Sequence, residues 1–155
     1  MSDVEKRLEQ LGLELPEPAA PAANYVPYVR TGSLVFISGQ VPVRDGHLPY
    51  RGKVGAELDL KRAQEAARLA GINVLAVARE ACDGNLNRIV RCVKLSGFVN
   101  CTADFDQQPA VLNGASDLMV EVLGEKGRHA RFAVGSNSLP FDVSVEIDAV
   151  FEIED

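Results

Sequence analysis

Apolar and polar positions alternate along the end of the chain. Val143, Val145, Ile147, Ala149, Phe151 and Ile153 are apolar, and Ser144, Glu146, Asp148, Val150, Glu152 and Glu154 stand between them. Period-two spacing over that length predicts a strand with one face on a core. Upstream, Phe132 and Val134 share one face and Arg131, Ala133 and Gly135 the other, which predicts a second strand with its core side at Phe132 and Val134. A Pro-containing turn over Ser136 to Asp142 would join the two as a hairpin, with register set by the facing apolar sets. In that hairpin Arg131 lies opposite Glu146 or one diagonal step away. A guanidinium, a carboxylate and a glycine would then share one sheet face. Such a face can hold a substrate carboxylate and place a water. It can also carry a plain cross-strand ion pair, the commoner use of such residues.

Elsewhere the period changes. Leu60, Ala63, Ala67, Ala70, Val74, Val77 and Ala81 recur at helical spacing, so Glu57 to Cys82 reads as a helix with an alanine-rich core face. A second helix is predicted from about Asp106 to Leu123, with Pro109 in its first turn. Asn113 lies within it, and surface exposure is the simple reading of that residue. Ile89 to Asn100 reads as a strand with Val93, Leu95, Gly97 and Val99 on one face and Cys92, Lys94, Ser96 and Phe98 on the other. Leu34 to Ile37 is apolar on both faces, as in a strand covered on both sides. Pro27 confines the extended segment before it to an edge or a strand start.

Residues 1–23 read as an N-terminal helix followed by a Pro/Ala-rich arm, and 24–155 as the domain proper. Ser2 and Glu5 form a capping box, and Gly12 stands where a glycine stops a helix. Residues 44–56 form a Gly-rich loop holding His47, Tyr50 and Arg51. The sum is a single α+β domain, a mixed sheet with two helices packed on one face. The helices are too few to cover both faces, so a neighbouring subunit is expected on the second.

Composition narrows the chemistry. A chain of 155 residues suits one domain with a sizeable core. No apolar run reaches membrane-span length and no signal-peptide order opens the chain, which makes a cytoplasmic protein the expectation. The net charge of −6 provides no basic footprint for nucleic acid. Cys82, Cys92 and Cys101 are odd in number and lack C-x-x-C spacing, arguing against a disulfide framework or a zinc site. His47 and His129 are far apart, and nothing in their spacing suggests an acid/base pair.

Several short segments then match a known family in order. They are Ala20-Pro21-Ala22-Ala23 leading to Pro27-Tyr28-Val29, and Ile37-Ser38-Gly39-Gln40-Val41-Pro42. Val93-Lys94-Leu95 with Phe98-Val99, Asp104-Phe105, Asn113 and Ala130-Arg131 follow, then Leu139-Pro140 and Val145-Glu146-Ile147-Asp148-Ala149. In these the chain resembles the RidA/YjgF (L-PSP) family, of chorismate-mutase-like fold, from about residue 20 to the C-terminus.

The resemblance implies a homotrimer with sheets facing inward and three sites between subunits. It implies hydrolysis of 2-imino or 2-enamino acids to 2-oxo acids and ammonia, without metal or organic cofactor. Arg131 would grip the substrate carboxylate through a bidentate pair, and Glu146 would orient or activate the attacking water. Gly39 and Ala133 would contribute backbone contacts, with Tyr28, Ser38 and Asn113 lining the pocket. The family's deaminases usually follow this arginine with a small polar residue and often a cysteine. Phe132 and Ala133 stand there instead, so thiol-dependent reactivity is lost. The N-terminal arm, the 44–56 loop and extra residues before Val93 resemble a longer subgroup. The same pocket would also suit a non-catalytic protein that binds small carboxylic acids. Endoribonuclease activity, the family's historical label, is opposed by the acidic charge and the missing basic-aromatic strip.

Overall fold

The computed structural model describes residues 3–18, 20 and 23–155. Its long helix α2 (Leu60–Ala81) begins at the first residue of its apolar period and not at the expected Glu57, because Asp59 takes the cap. The Asp59 carboxylate accepts from the Arg62 amide at 2.9 Å, which satisfies one of the free donors of the first turn. Gly71 does not break the helix. It marks the crossing with α3 (Gln108–Leu123), where an added Cβ would stand 3.0 Å from Leu118 Cδ2. Reciprocally, Gly114 of α3 backs onto the Gln64 carbonyl of α2. Small residues on both helices thus allow a close approach.

The two helices cover one face of a five-stranded sheet of order β1-β2-β5-β3-β4. The strands are β1 (Tyr28–Thr31), β2 (Leu34–Gln40), β3 (Ile89–Asn100), β4 (Ala130–Ser136) and β5 (Val145–Ile153). Strands β3 and β4 run parallel and the other neighbours antiparallel. Helix α3 is the crossover that a parallel pair requires. The mixed sheet and one-sided helices agree with the sequence reading, and β1 is the edge strand that Pro27 implies. Val145, Ile147, Ala149, Phe151 and Ile153 all face the core. Each large apolar side chain so buried contributes about 1.5–3 kcal/mol.

Three expectations fail. Strands β4 and β5 form no hairpin, because β3 lies between them. The segment after Ser136 is long enough to step across one strand, about 10 Å at ordinary strand spacing. Second, β4 is turned the other way. Arg131 and Ala133 face the helices, while Phe132 and Val134 lie on the open face. The helix side there demands small residues, since a Cβ on Gly135 would meet Cys101 Sγ at 3.0 Å. Third, Cys92 is buried in register with Phe151, and a bulge before Lys94 switches the alternation. Cys92 therefore does not share a face with Lys94.

Helix α1 (Asp3–Gln10) docks through Val4 and Leu8, which join the main apolar cluster together with Leu15. It ends as Gly12 requires: Gly12 has φ +67°, its amide donates to Glu9 O, and the Leu13 amide donates to Leu8 O at 2.9 Å. The capping box at Ser2 lies outside the described residues. No helix among the described residues is long and apolar enough to cross a membrane.

On the open face, Val29, Phe36, Phe98, Phe132 and Val134 remain between 37% and 54% exposed. Phe98 and Phe132 meet edge to face at 5.6 Å between centroids. Exposed apolar side chains grouped on one sheet face are candidates for covering by another surface.

Candidate functional site

Arg131 occupies the edge strand β4 in register with Leu95, beneath α3. Its Nη1 donates to Asn113 Oδ1 at 2.9 Å and to Ser116 Oγ at 3.1 Å. Asn113 and Ser116 are one helical turn apart, so they present acceptors on one side of α3. Both Nη1 hydrogens are thereby engaged. Nε and Nη2 have no partner among the described residues. This edge of the guanidinium is the one that matches a carboxylate with two parallel hydrogen bonds. Ala133 lies next to it on the same face of β4 and packs against the core.

Glu146 stands elsewhere. It alternates with buried Val145 and Ile147 on β5, in register with exposed Phe98, and so points to the open face. It borders a cleft of about 280 Å³ lined by Ser38, Gly39, Gln40, Val41, Pro140 and Phe141 among others. A bulge in β2 between Ile37 and Gln40 brings Gly39 against the carboxylate, so closely that a Cβ there would strike Glu146 Oε2. Burial pushes the Glu146 carboxyl above its ordinary range, and the Asp148 carboxylate adds to the rise. No cation or hydrogen-bond donor offsets this among the described residues. A raised, unpartnered carboxyl in a cleft is suited both to accept and to return a proton.

Of the other residues singled out by sequence, Ser38 lies in this cleft with its hydroxyl donating to Val26 O at 2.6 Å. Tyr28 is in register with Ile37 and packs against the core, away from the cleft, where Tyr25 and Pro27 contribute instead. The structure thus sorts the residues into two groups, Arg131, Asn113 and Ala133 in one and Ser38, Gly39 and Glu146 in the other. Strand β3 and the thickness of the sheet separate them.

The 44–56 loop has a definite role. Arg51 Nε donates to Phe141 O at 2.9 Å, and the Gly52 amide donates to Asp142 O at 2.8 Å. Lys53 Nζ reaches Asn100 Oδ1 at 2.8 Å and the Asn137 carbonyl. Asn100 in turn donates to Val143 O and Asp142 Oδ1. These bonds hold a turn in which Phe141 and Asp142 both have φ +59°, a conformation costing about 1–3 kcal/mol for each non-glycine residue. Phe141, 66% exposed, is presented at the cleft mouth. His47 only closes a tight turn with Arg44, and Tyr50 lies under the Arg62 guanidinium.

Sequence reasoning missed Ser116 and His129. Ser116 Oγ lies 2.8 Å from His129 Nε2, and His129 Nδ1 lies 2.6 Å from Gly127 O. The legible signals were the Asn113–Ser116 spacing on a helix and a histidine two residues before Arg131.

The family model for YjgF/chorismate mutase-like proteins, which carries an endoribonuclease label, matches residues 5–152. Protein TCP17 of Trypanosoma cruzi is 46% identical over 151 residues, covering 97% of this chain and 94% of that protein. The crystal structure of the protein Atu1372 from Agrobacterium tumefaciens, of unknown function, is 48% identical, with a TM-score of 0.92 over 97% of this chain and 92% of that one. The structure of E. coli TdcF with bound serine is 29% identical, with a TM-score of 0.60 over 90% of this chain and 94% of that one. On sequence and on fold, the chain belongs to the YjgF/chorismate mutase-like family.

Proposed function

We propose that this protein is a 2-imino/2-enamino acid deaminase, acting as a homotrimer at sites between subunits. One observation carries the reading: among the described residues the Nε–Nη2 edge of Arg131 and the Glu146 carboxyl have no partner, and a single chain holds them on opposite faces of one sheet. Each is half a site. A neighbouring copy that packs on the apolar open face would bring its β4 edge to the Glu146 cleft and complete it.

In that assembly the Nε–Nη2 edge of Arg131 holds the substrate carboxylate and fixes the imine carbon before the cleft. Glu146 takes a proton from a water, and the water oxygen bonds to the imine carbon while the C=N π pair moves to nitrogen. The protonated Glu146 returns its proton to that nitrogen. Glu146 then takes the carbinol hydroxyl proton and passes it to the nitrogen, and the C–N bond breaks as the oxygen forms a carbonyl, releasing ammonia and a 2-oxo acid. A carboxyl raised above its ordinary range suits both halves of this transfer. Serine bound to TdcF supports a ligand of amino-acid size bearing a carboxylate.

The test is to generate imines with a PLP-dependent lyase or an amino-acid oxidase and follow 2-oxo acid release. Acceleration over buffer is expected, falling by about 10²-fold or more in Arg131→Ala. A protein that binds 2-oxo acids yet accelerates no imine tried would instead be a non-catalytic carboxylate binder. Sedimentation as a stable monomer would overturn the shared site.

A further inference from the structure

With a neutral His129 ring, the hydrogen bonds behind Arg131 run in one direction. Gly127 O can only accept, so its 2.6 Å contact places a proton on His129 Nδ1. When the ring is neutral, Nε2 is an acceptor 2.8 Å from Ser116 Oγ, and the hydroxyl donates there. Its lone pairs are left facing Arg131 Nη1 at 3.1 Å. A serine inside a helix otherwise turns its proton to the carbonyl four residues back, here that of Leu112. His129 removes that option by capturing the proton.

We propose that His129, acting through Ser116, is a positioning residue for Arg131. Asn113 alone would leave the guanidinium free to turn about a single hydrogen bond. A second acceptor on the same nitrogen sets the plane of the group and aims its Nε–Nη2 edge outward. Bidentate binding of a carboxylate needs that plane set beforehand. The proposal rests on Arg131 being the carboxylate grip. It adds that the neutral, Nδ1-protonated form of His129 is the competent one.

The experiment compares the parent with His129→Gln, whose Oε1 can accept from Ser116, and with His129→Phe, Ser116→Ala and Arg131→Ala. Nitrogen-15 NMR of the histidine ring should show the proton on Nδ1, and a ring protonated on Nε2 alone would overturn the proposal. The Arg131 Nη protons should exchange slowly in the parent and His129→Gln, and average rapidly in His129→Phe and Ser116→Ala. Calorimetry with 2-oxobutanoate should give a Kd about tenfold weaker in the last two and within about threefold of the parent in His129→Gln; with imine substrate the loss should fall on KM rather than kcat. Parent-like exchange and binding in His129→Phe would overturn the proposal. So would a folded His129→Gln that fails to restore both, which keeps the test decisive should the phenylalanine variant not fold. Equal binding by the parent and Arg131→Ala would sink the carboxylate reading alone, and guanidinium exchange would still decide the role of His129.

Discussion

Arg131 and Glu146 face opposite sides of one sheet, with β3 between their strands. Arg131 shares a row with Leu95 of the helix-covered core, and Glu146 shares one with exposed Phe98. A ligand of amino-acid size cannot touch both within one chain. In the proposed assembly it would touch both where two copies meet.

Subunit mixing follows from this. Arg131→Ala and Glu146→Gln homo-oligomers should each be nearly inactive. Random re-assembly of an equal mixture into a cyclic trimer restores about one quarter of the sites, those pairing an intact arginine with an intact neighbouring glutamate. Activity near that fraction of the parent is expected after co-refolding. A mixture as inactive as its components would exclude a site shared between copies.

Gly39→Ala should separate activity from folding. The added methyl strikes the Glu146 carboxylate, a movable side chain, and not the core. Displacing that group by about 1 Å should lower kcat/KM by up to about 10²-fold, while the denaturant midpoint moves little. Parent-like kinetics would show that Glu146 does not act from this position.

Glu146→Gln should have a pH-dependent effect on stability. Burial, reinforced by Asp148, raises this carboxyl in the native state, so the folded protein holds the proton more tightly than the unfolded chain does. Stability therefore falls as pH rises from the ordinary carboxylate range through the raised value, and the cost is fully present above it. Glutamine has no such proton. The variant should melt above the parent at about pH 8 and converge with it below about pH 4. Melting curves across that range check the sign, and a variant that melts lower at pH 8 would reveal a favourable partner for the carboxylate.

The Phe141 turn stores strain at the cleft mouth. Asparagine accepts a left-handed backbone more readily than phenylalanine, and exposed Phe141 has little packing to lose. Phe141→Asn should raise unfolding stability by about 1 kcal/mol, measured by urea denaturation. Lys53→Met should act oppositely, because it releases Asn100 and the Asn137 carbonyl. A loss of stability in Phe141→Asn would mean that the ring is covered in the assembled protein.

Local pattern was a sound guide to elements. The alternation from Val143 to Ile153, the alanine stripe of α2 and the stop at Gly12 each reflect forces acting within a few residues, namely burial of one face and the φ of a single position. The family motifs also marked Arg131, Gly39 and Glu146 before any geometry was known. They did not reveal Ser116 or His129, whose contact with Arg131 depends on how α3 lies across β4.

By itself, then, the sequence determined which segments are strands and helices, which residues share a face of each except across the bulge in β3, and that one apolar face too many exists for the helices to cover. Which strand neighbours which, and which side of the sheet each face meets, was decided only in the tertiary structure. Phe132 and Val134 show the reason. Hydrophobicity drives a side chain away from water with no preference between its own core and a partner's surface, so their pattern fits either side of β4. The packing of α3, with Gly135 against Cys101 and Arg131 held beneath Asn113, selects the open one.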